Sequence, residues 1–150
     1  MDPKAAELRE SLRRLFRRLG FMERDEARCC SMSVSRCQVL VEVGRAENLS
    51  LVDLSARMGL EKSTVSRLVD ALVEEGLAER SESSLDRRYL SIALTREGKE
   101  LCGRIESRMD AFVAEAWDRV PVDLRDKVLE SLRILEGVFG KDCCERREQG

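Results

Sequence analysis

Between Leu51 and Leu94 the spacing of apolar residues switches from a helical to a strand period, with glycine at the joins, and this switch leaves few folds open. Leu51, Leu54 and Met58 follow the capping side chains of Asn48 and Ser50, and Gly59 stops the pattern as a glycine past a helix end does. Beyond the turn at Gly59 and Leu60, Val65, Leu68, Val69 and Leu72 share one helical face until Gly76. Two helices joined by a tight glycine turn make a helix-turn-helix. Leu90, Ile92 and Leu94 then alternate with Tyr89, Ser91 and Ala93, which is strand periodicity, and a shorter apolar pair, Leu77 and Ala78, precedes them. Ser81 to Arg87 is the loop expected between two hairpin strands.

The flanks read as helix. Leu8, Leu12, Leu15, Phe16 and Leu19 recur at helical spacing, while Arg9, Arg13, Arg14, Arg17 and Arg18 fall on other faces, as expected of a solvated exterior. After a polar break around Arg24 to Ser33, the period resumes through Val34, Cys37, Leu40, Val41 and Gly44. Thr95 is the expected cap of a long helix carrying Leu101, Ile105, Met109, Phe112, Val113, Ala116 and Val120 as far as Pro121. The last helix has two apolar stripes, one through Leu124, Val128, Leu132, Leu135 and Phe139 and one through Leu129, Ile134 and Val138. A monomer needs one stripe; two imply a buried partner. The fold class is therefore mostly α with a small β-hairpin wing.

Composition narrows the function. At 150 residues the chain is one domain's worth, and 37% charged residues with 2 Pro suit solvent-laced helices. No apolar run approaches a membrane span, and the charged start MDPKAAELRE lacks a signal peptide's apolar core, so a cytoplasmic protein is expected. The absence of His, of a Gly-rich phosphate loop and of a nucleophile–base constellation argues against an enzyme. The formal net charge of −2 excludes a globally basic nucleic-acid binder, so any DNA contact must come from locally placed cations.

Such cations are present. Leu60-Glu61-Lys62-Ser63-Thr64-Val65-Ser66-Arg67 resembles the start of the recognition helix of the MarR family of bacterial transcriptional regulators, and Leu72 to Leu77 resembles its exit. Asp86-Arg87-Arg88, followed by Leu94-Thr95 and Gly98, is similar to that family's wing signature. The resemblance implies one MarR-like domain over 1-150, with 33-94 as the winged helix-turn-helix lobe and 1-32 with 95-145 as the helical dimerisation region. It also implies a symmetric homodimer, a palindromic double-stranded operator and repression released by an effector.

Placing residues 62 to 75 on a helical wheel sends Val65, Leu68, Val69 and Leu72 inward and Ser63, Ser66, Arg67, Asp70 and Glu74 outward, with Thr64 at the margin. Lys62 and Arg67 lie in the first turns and Asp70, Glu74 and Glu75 in the last, the reverse of what the helix macrodipole prefers. A recognition helix entering the major groove by its N-terminus accounts for that order, because donors and cations then meet the phosphates. Ser63, Thr64 and Ser66 are expected at base edges or phosphates, Arg67 at a phosphate or guanine, and Lys62 at a phosphate. In the wing, Arg87 and Arg88 are expected to reach a minor groove, with Asp86 orienting one of them. A winged helix that binds only protein is the competing class.

Six cysteines complete the inventory. Cys37 and Cys102 share helical spacing with apolar neighbours and are expected to be small core residues. Cys29 and Cys30, in an expected loop, and Cys143 and Cys144 are adjacent pairs. Adjacent Cα atoms lie about 3.8 Å apart, below the usual disulfide window of about 4.4 to 6.8 Å, so neither pair closes readily on itself. Two readings stand: a sensor bridged by a soft metal or metalloid or linked by an oxidant, or inert thiols. No cofactor is required by either.

Overall fold

Why the chain breaks into its elements is clearest at the turns. The computed structural model describes residues 2–29, 31–46, 48–83 and 89–139, with the side chains of 21–23 and 25–29 outside the description. Helix α1 runs Pro3–Cys29. The polar stretch from Arg24, expected to break it, does not: Glu, Ala and Arg propagate a helix whatever they face, so losing the apolar stripe is not losing the helix. Cys29, expected in a loop, is the last residue of α1. Ser33 then caps α2 (Val34–Arg45), its hydroxyl accepting from the Arg36 N–H at 3.3 Å.

A strand of two residues, β1 (Leu49–Ser50), leads straight into α3 (Leu51–Met58). Ser50 caps α3: its hydroxyl accepts from the Asp53 N–H at 3.0 Å and donates to the Asp53 carboxylate at 2.8 Å. Gly59 ends α3 at φ 63°, a left-handed conformation that costs a side-chain-bearing residue energy, and its N–H and that of Leu60 return to Ala56 and Ser55 carbonyls. Helix α4 (Lys62–Glu74) follows.

Strands β2 (Ala78–Glu82) and β3 (Leu90–Leu94) pair antiparallel, with Ala78 opposite Leu94 and Glu82 opposite Leu90. The expected hairpin is thus part of a three-stranded sheet in the order β1-β3-β2, because Leu49 and Ser50 pair with Ile92 and Ser91. Two residues are too few to display a period, which is why β1 cannot be read from spacing. Nor does β2 alternate: only Ala78 is buried and the next four residues are exposed. It also extends through Ser81 and Glu82, so the connection expected to begin at Ser81 begins at Ser83.

Residues 1–107 form one compact unit. Its core joins Val39, Leu40 and Val43 of α2, Leu54 of α3, Val65, Val69 and Leu72 of α4 and Ile92 of β3, all essentially inaccessible to solvent. The sheet is tied to helix α5 (Arg96–Asp118) at Thr95, whose N–H donates to the Leu77 carbonyl at 3.1 Å. The Thr95 hydroxyl donates to the Gly76 carbonyl at 2.6 Å and accepts from the Gly98 N–H at 3.1 Å, so it caps the helix as expected.

Residues from 108 onward form a second unit, containing the C-terminal part of α5, a single 3₁₀ turn at Val122–Leu124 after Pro121, and α6 (Arg125–Val138). Arg125 joins its two helices by donating to the Trp117 and Val120 carbonyls at 3.3 and 3.2 Å and stacking over the Trp117 ring at 5.3 Å. Not one residue of α6 is buried.

Candidate nucleic-acid interface

Helix α4 is held from behind and open in front. Val65, Val69 and Leu72 are fully buried and Leu68 half-buried, while Lys62, Ser63 and Arg67 are exposed. Thr64 sits at the margin, half-buried, as the wheel places it. Ser66 is half-buried too, less outward than the wheel places it. Lys62 is the first residue of α4; Glu61 before it makes no side-chain cap, and its carbonyl accepts from the Thr64 and Val65 N–H groups at 3.0 Å. The Arg67 guanidinium folds along its own helix, Nε donating to the Ser63 carbonyl at 3.4 Å. A shallow groove lined by Val52, Ala56 and Leu60 of the α3 region runs up to Lys62 and Thr64.

The far end of α4 is less acidic in effect than in sequence. Asp70 forms an ion pair with Arg80 of β2 at 2.7 Å, and Glu75 with Arg36 of α2. Two of the three acids that oppose the helix dipole are therefore neutralised by cations from neighbouring elements. The same Arg80 donates to the Ser66 hydroxyl at 3.2 Å and the Ser66 carbonyl at 3.3 Å. Sequence reasoning missed Arg80. Nothing in the spacing of a strand whose last four residues are exposed points to a partner on a helix.

Asp86, Arg87 and Arg88 lie outside the described residues, as do Cys30, Cys143 and Cys144, and so does the side chain of Cys29. Cys37 and Cys102 are buried, as expected of core thiols. Burial pushes the Cys102 thiol up from its ordinary range, and the nearby Glu106 carboxylate adds to this, while Arg45 opposes it. Arg45 meets Glu106 at 3.1 Å, and that hydrogen bond and charge hold the guanidinium above its usual value. Among the described residues no group of three or more His, Cys, Asp or Glu is arranged to hold a metal ion. No helix among them is long and apolar enough to cross a membrane.

Comparison with known proteins places this arrangement. Residues 31–88, which contain the helix-turn-helix, match the family model described as MarR family. A structure described as a MarR family transcriptional regulator from Silicibacter pomeroyi is 30% identical, with 88% of this chain and 89% of that one covered and a TM-score of 0.74. The chain belongs to the MarR family. The fold is shared at lower identity as well: FabT of Streptococcus pneumoniae, solved in complex with DNA, superposes with a TM-score of 0.81 at 20% identity over 89% of this chain and 96% of FabT. Among curated relatives, the HTH-type transcriptional regulator YfiV of Bacillus subtilis strain 168 is 26% identical over 104 residues, 69% of this chain. The match spans 65% of YfiV's own length.

Proposed function

We propose that the chain is a sequence-specific double-stranded DNA-binding transcriptional regulator that works as a homodimer on a palindromic operator. The observation that carries this reading is the front of α4: exposed Lys62, Ser63 and Arg67 on its first turns, a locked apolar back, and distal acids already paired by Arg80 and Arg36. A helix so presented fits the major groove, which is about 12 Å wide, and delivers donors and cations where phosphates and base edges lie. Lys62 takes a phosphate, Arg67 a phosphate or guanine, and Ser63, Thr64 and Ser66 base edges or phosphates. The complex of FabT with DNA supports carrying the function over with the fold. From the sequence alone, Arg87 and Arg88 are the wing's minor-groove contacts, with Asp86 orienting one of them.

Support for the homodimer comes from the second unit. Ile134 and Val138 of α6 are 58% and 64% exposed, and Val113, Leu129 and Leu132 are exposed as well, more bare apolar side chains than an isolated monomer ordinarily presents to water. A second copy covers these side chains; a palindrome read by two α4 helices has half-sites about 34 Å apart, one turn of B-DNA. Repression, and release by an effector acting at Cys29, Cys30, Cys143 or Cys144, complete the reading.

Selection of bound duplexes from a random pool tests it. The expected result is an enriched palindrome whose affinity falls steeply with salt. A dimer that enriches nothing would leave the winged helix as a protein-interaction module. For the effector, operator binding is measured with arsenite, zinc or an oxidant; affinity unchanged by all three rules the thiols out.

A further inference from the structure

We infer that Arg80 is a specificity-determining positioning residue, which acts through Ser66 and makes that hydroxyl a donor toward DNA. The inference rests on the DNA-binding reading above and concerns which base groups the helix prefers. Arg80 reaches from β2 across to α4 and divides its guanidinium in two. Nη1 meets the Asp70 carboxylate at 2.7 Å, and Nη2 donates to the Ser66 hydroxyl oxygen at 3.2 Å and to the Ser66 carbonyl at 3.3 Å. The fork can do both because its donors are fixed in one plane, which an ammonium group cannot copy.

The chemical consequence follows from the hydroxyl's inventory of one O–H donor and two lone pairs. Arg80 occupies a lone pair from the protein side, and its positive charge disfavours any second donor approaching the same oxygen. The hydroxyl proton is left to point outward. Ser66 therefore favours electron-rich groups on the major-groove edge, namely guanine O6 and N7, adenine N7 or thymine O4, over the amino group of cytosine. At the longer range of a phosphate the paired Asp70 carboxylate offsets the Arg80 charge, so Arg80 adds little to non-specific attraction to the backbone.

The full chain is tested by selection from a random duplex pool and by titration of single-base operator variants, using the wild type, Arg80→Ala, Ser66→Ala and the double variant. Arg80→Ala should flatten base preference at one symmetric pair of operator positions by roughly 3- to 10-fold, the size of one hydrogen bond. The salt slope should stay as in wild type. Ser66→Ala, which keeps a good helix former on α4, should flatten the same positions, and the double variant should add nothing to either single change. An Arg80→Ala protein whose affinity falls equally for all sequences, with a salt slope reduced by about one, would show Arg80 to be a phosphate contact and overturn the inference. Additive effects of the two substitutions, or flattening at different positions, would overturn it too. A folded wild type that enriches no motif defeats the DNA-binding reading itself, a different failure.

Discussion

Gly98 gives the sharpest test of how the sheet is joined to α5. A Cβ built there would stand 1.9 Å from the Leu77 carbonyl oxygen and 2.9 Å from its carbon, where real contacts essentially never fall below 3.0 Å. Backbone faces backbone, so no side chain can rotate away, and Gly98→Ala must separate the two strands of chain by about 1 Å. That movement pulls directly on the bond from the Thr95 N–H to the Leu77 carbonyl. Overpacking costs about 1–3 kcal/mol and a lost hydrogen bond about 1 kcal/mol, while alanine returns about 1 kcal/mol of helix propensity. The net is a destabilisation of about 1–3 kcal/mol, or a melting temperature lower by about 2–12 °C. Gly103, on the same helix with nothing within 4 Å, is the control: Gly103→Ala should stabilise by about 0.5–1 kcal/mol. Both are read by circular dichroism melts at one fixed protein concentration. A Gly98→Ala protein melting at or above the wild type would refute the close approach on which the argument rests.

Other outcomes follow from the same geometry. Lys62→Ala should weaken binding to all duplexes alike and lower the salt slope by about one, measured by titration across a salt series. Ile134→Asp with Val138→Asp should turn a dimer into monomers in sedimentation equilibrium while the circular dichroism of the winged unit persists; an unchanged mass would contradict the proposed use of α6. The Cys102 thiol, raised by burial and by Glu106, is held neutral in the folded chain. Its contribution to stability is then fully present below the unfolded thiol value of about 8.5 and is lost as pH rises above it. Accordingly, mass-mapped alkylation at pH 8 should label Cys102 in urea much faster than in buffer; equal rates would contradict its burial.

The local order of elements was legible because period and capping are local. Val65, Leu68, Val69 and Leu72 marked α4, the left-handed Gly59 marked its turn, and Thr95 marked the start of α5, each from residues within about two turns of one another. Errors arose where the local signal is ambiguous or too short. The polar stretch after Arg24 ended a stripe and not a helix, β1 has only two residues, and β2 shows one buried position. At the candidate interface, the donors and cations at the front of α4 could be named from the sequence.

Partnership was beyond it. The acids at the end of α4 looked like an unfavourable charge gradient in one dimension, but Arg80 is 14 residues from Ser66 and Arg36 is 39 from Glu75. Spacing cannot encode contacts at such separations; they exist only once buried apolar faces have docked β2 and α2 against α4. The sequence by itself determined where α3, α4 and α5 would begin, where the chain would turn between α3 and α4, and that the front of α4 would carry donors. The tertiary structure alone decided that two of its acids are neutralised and that a strand arginine sits on Ser66, because ion pairs and hydrogen bonds between distant residues depend on packing and not on period.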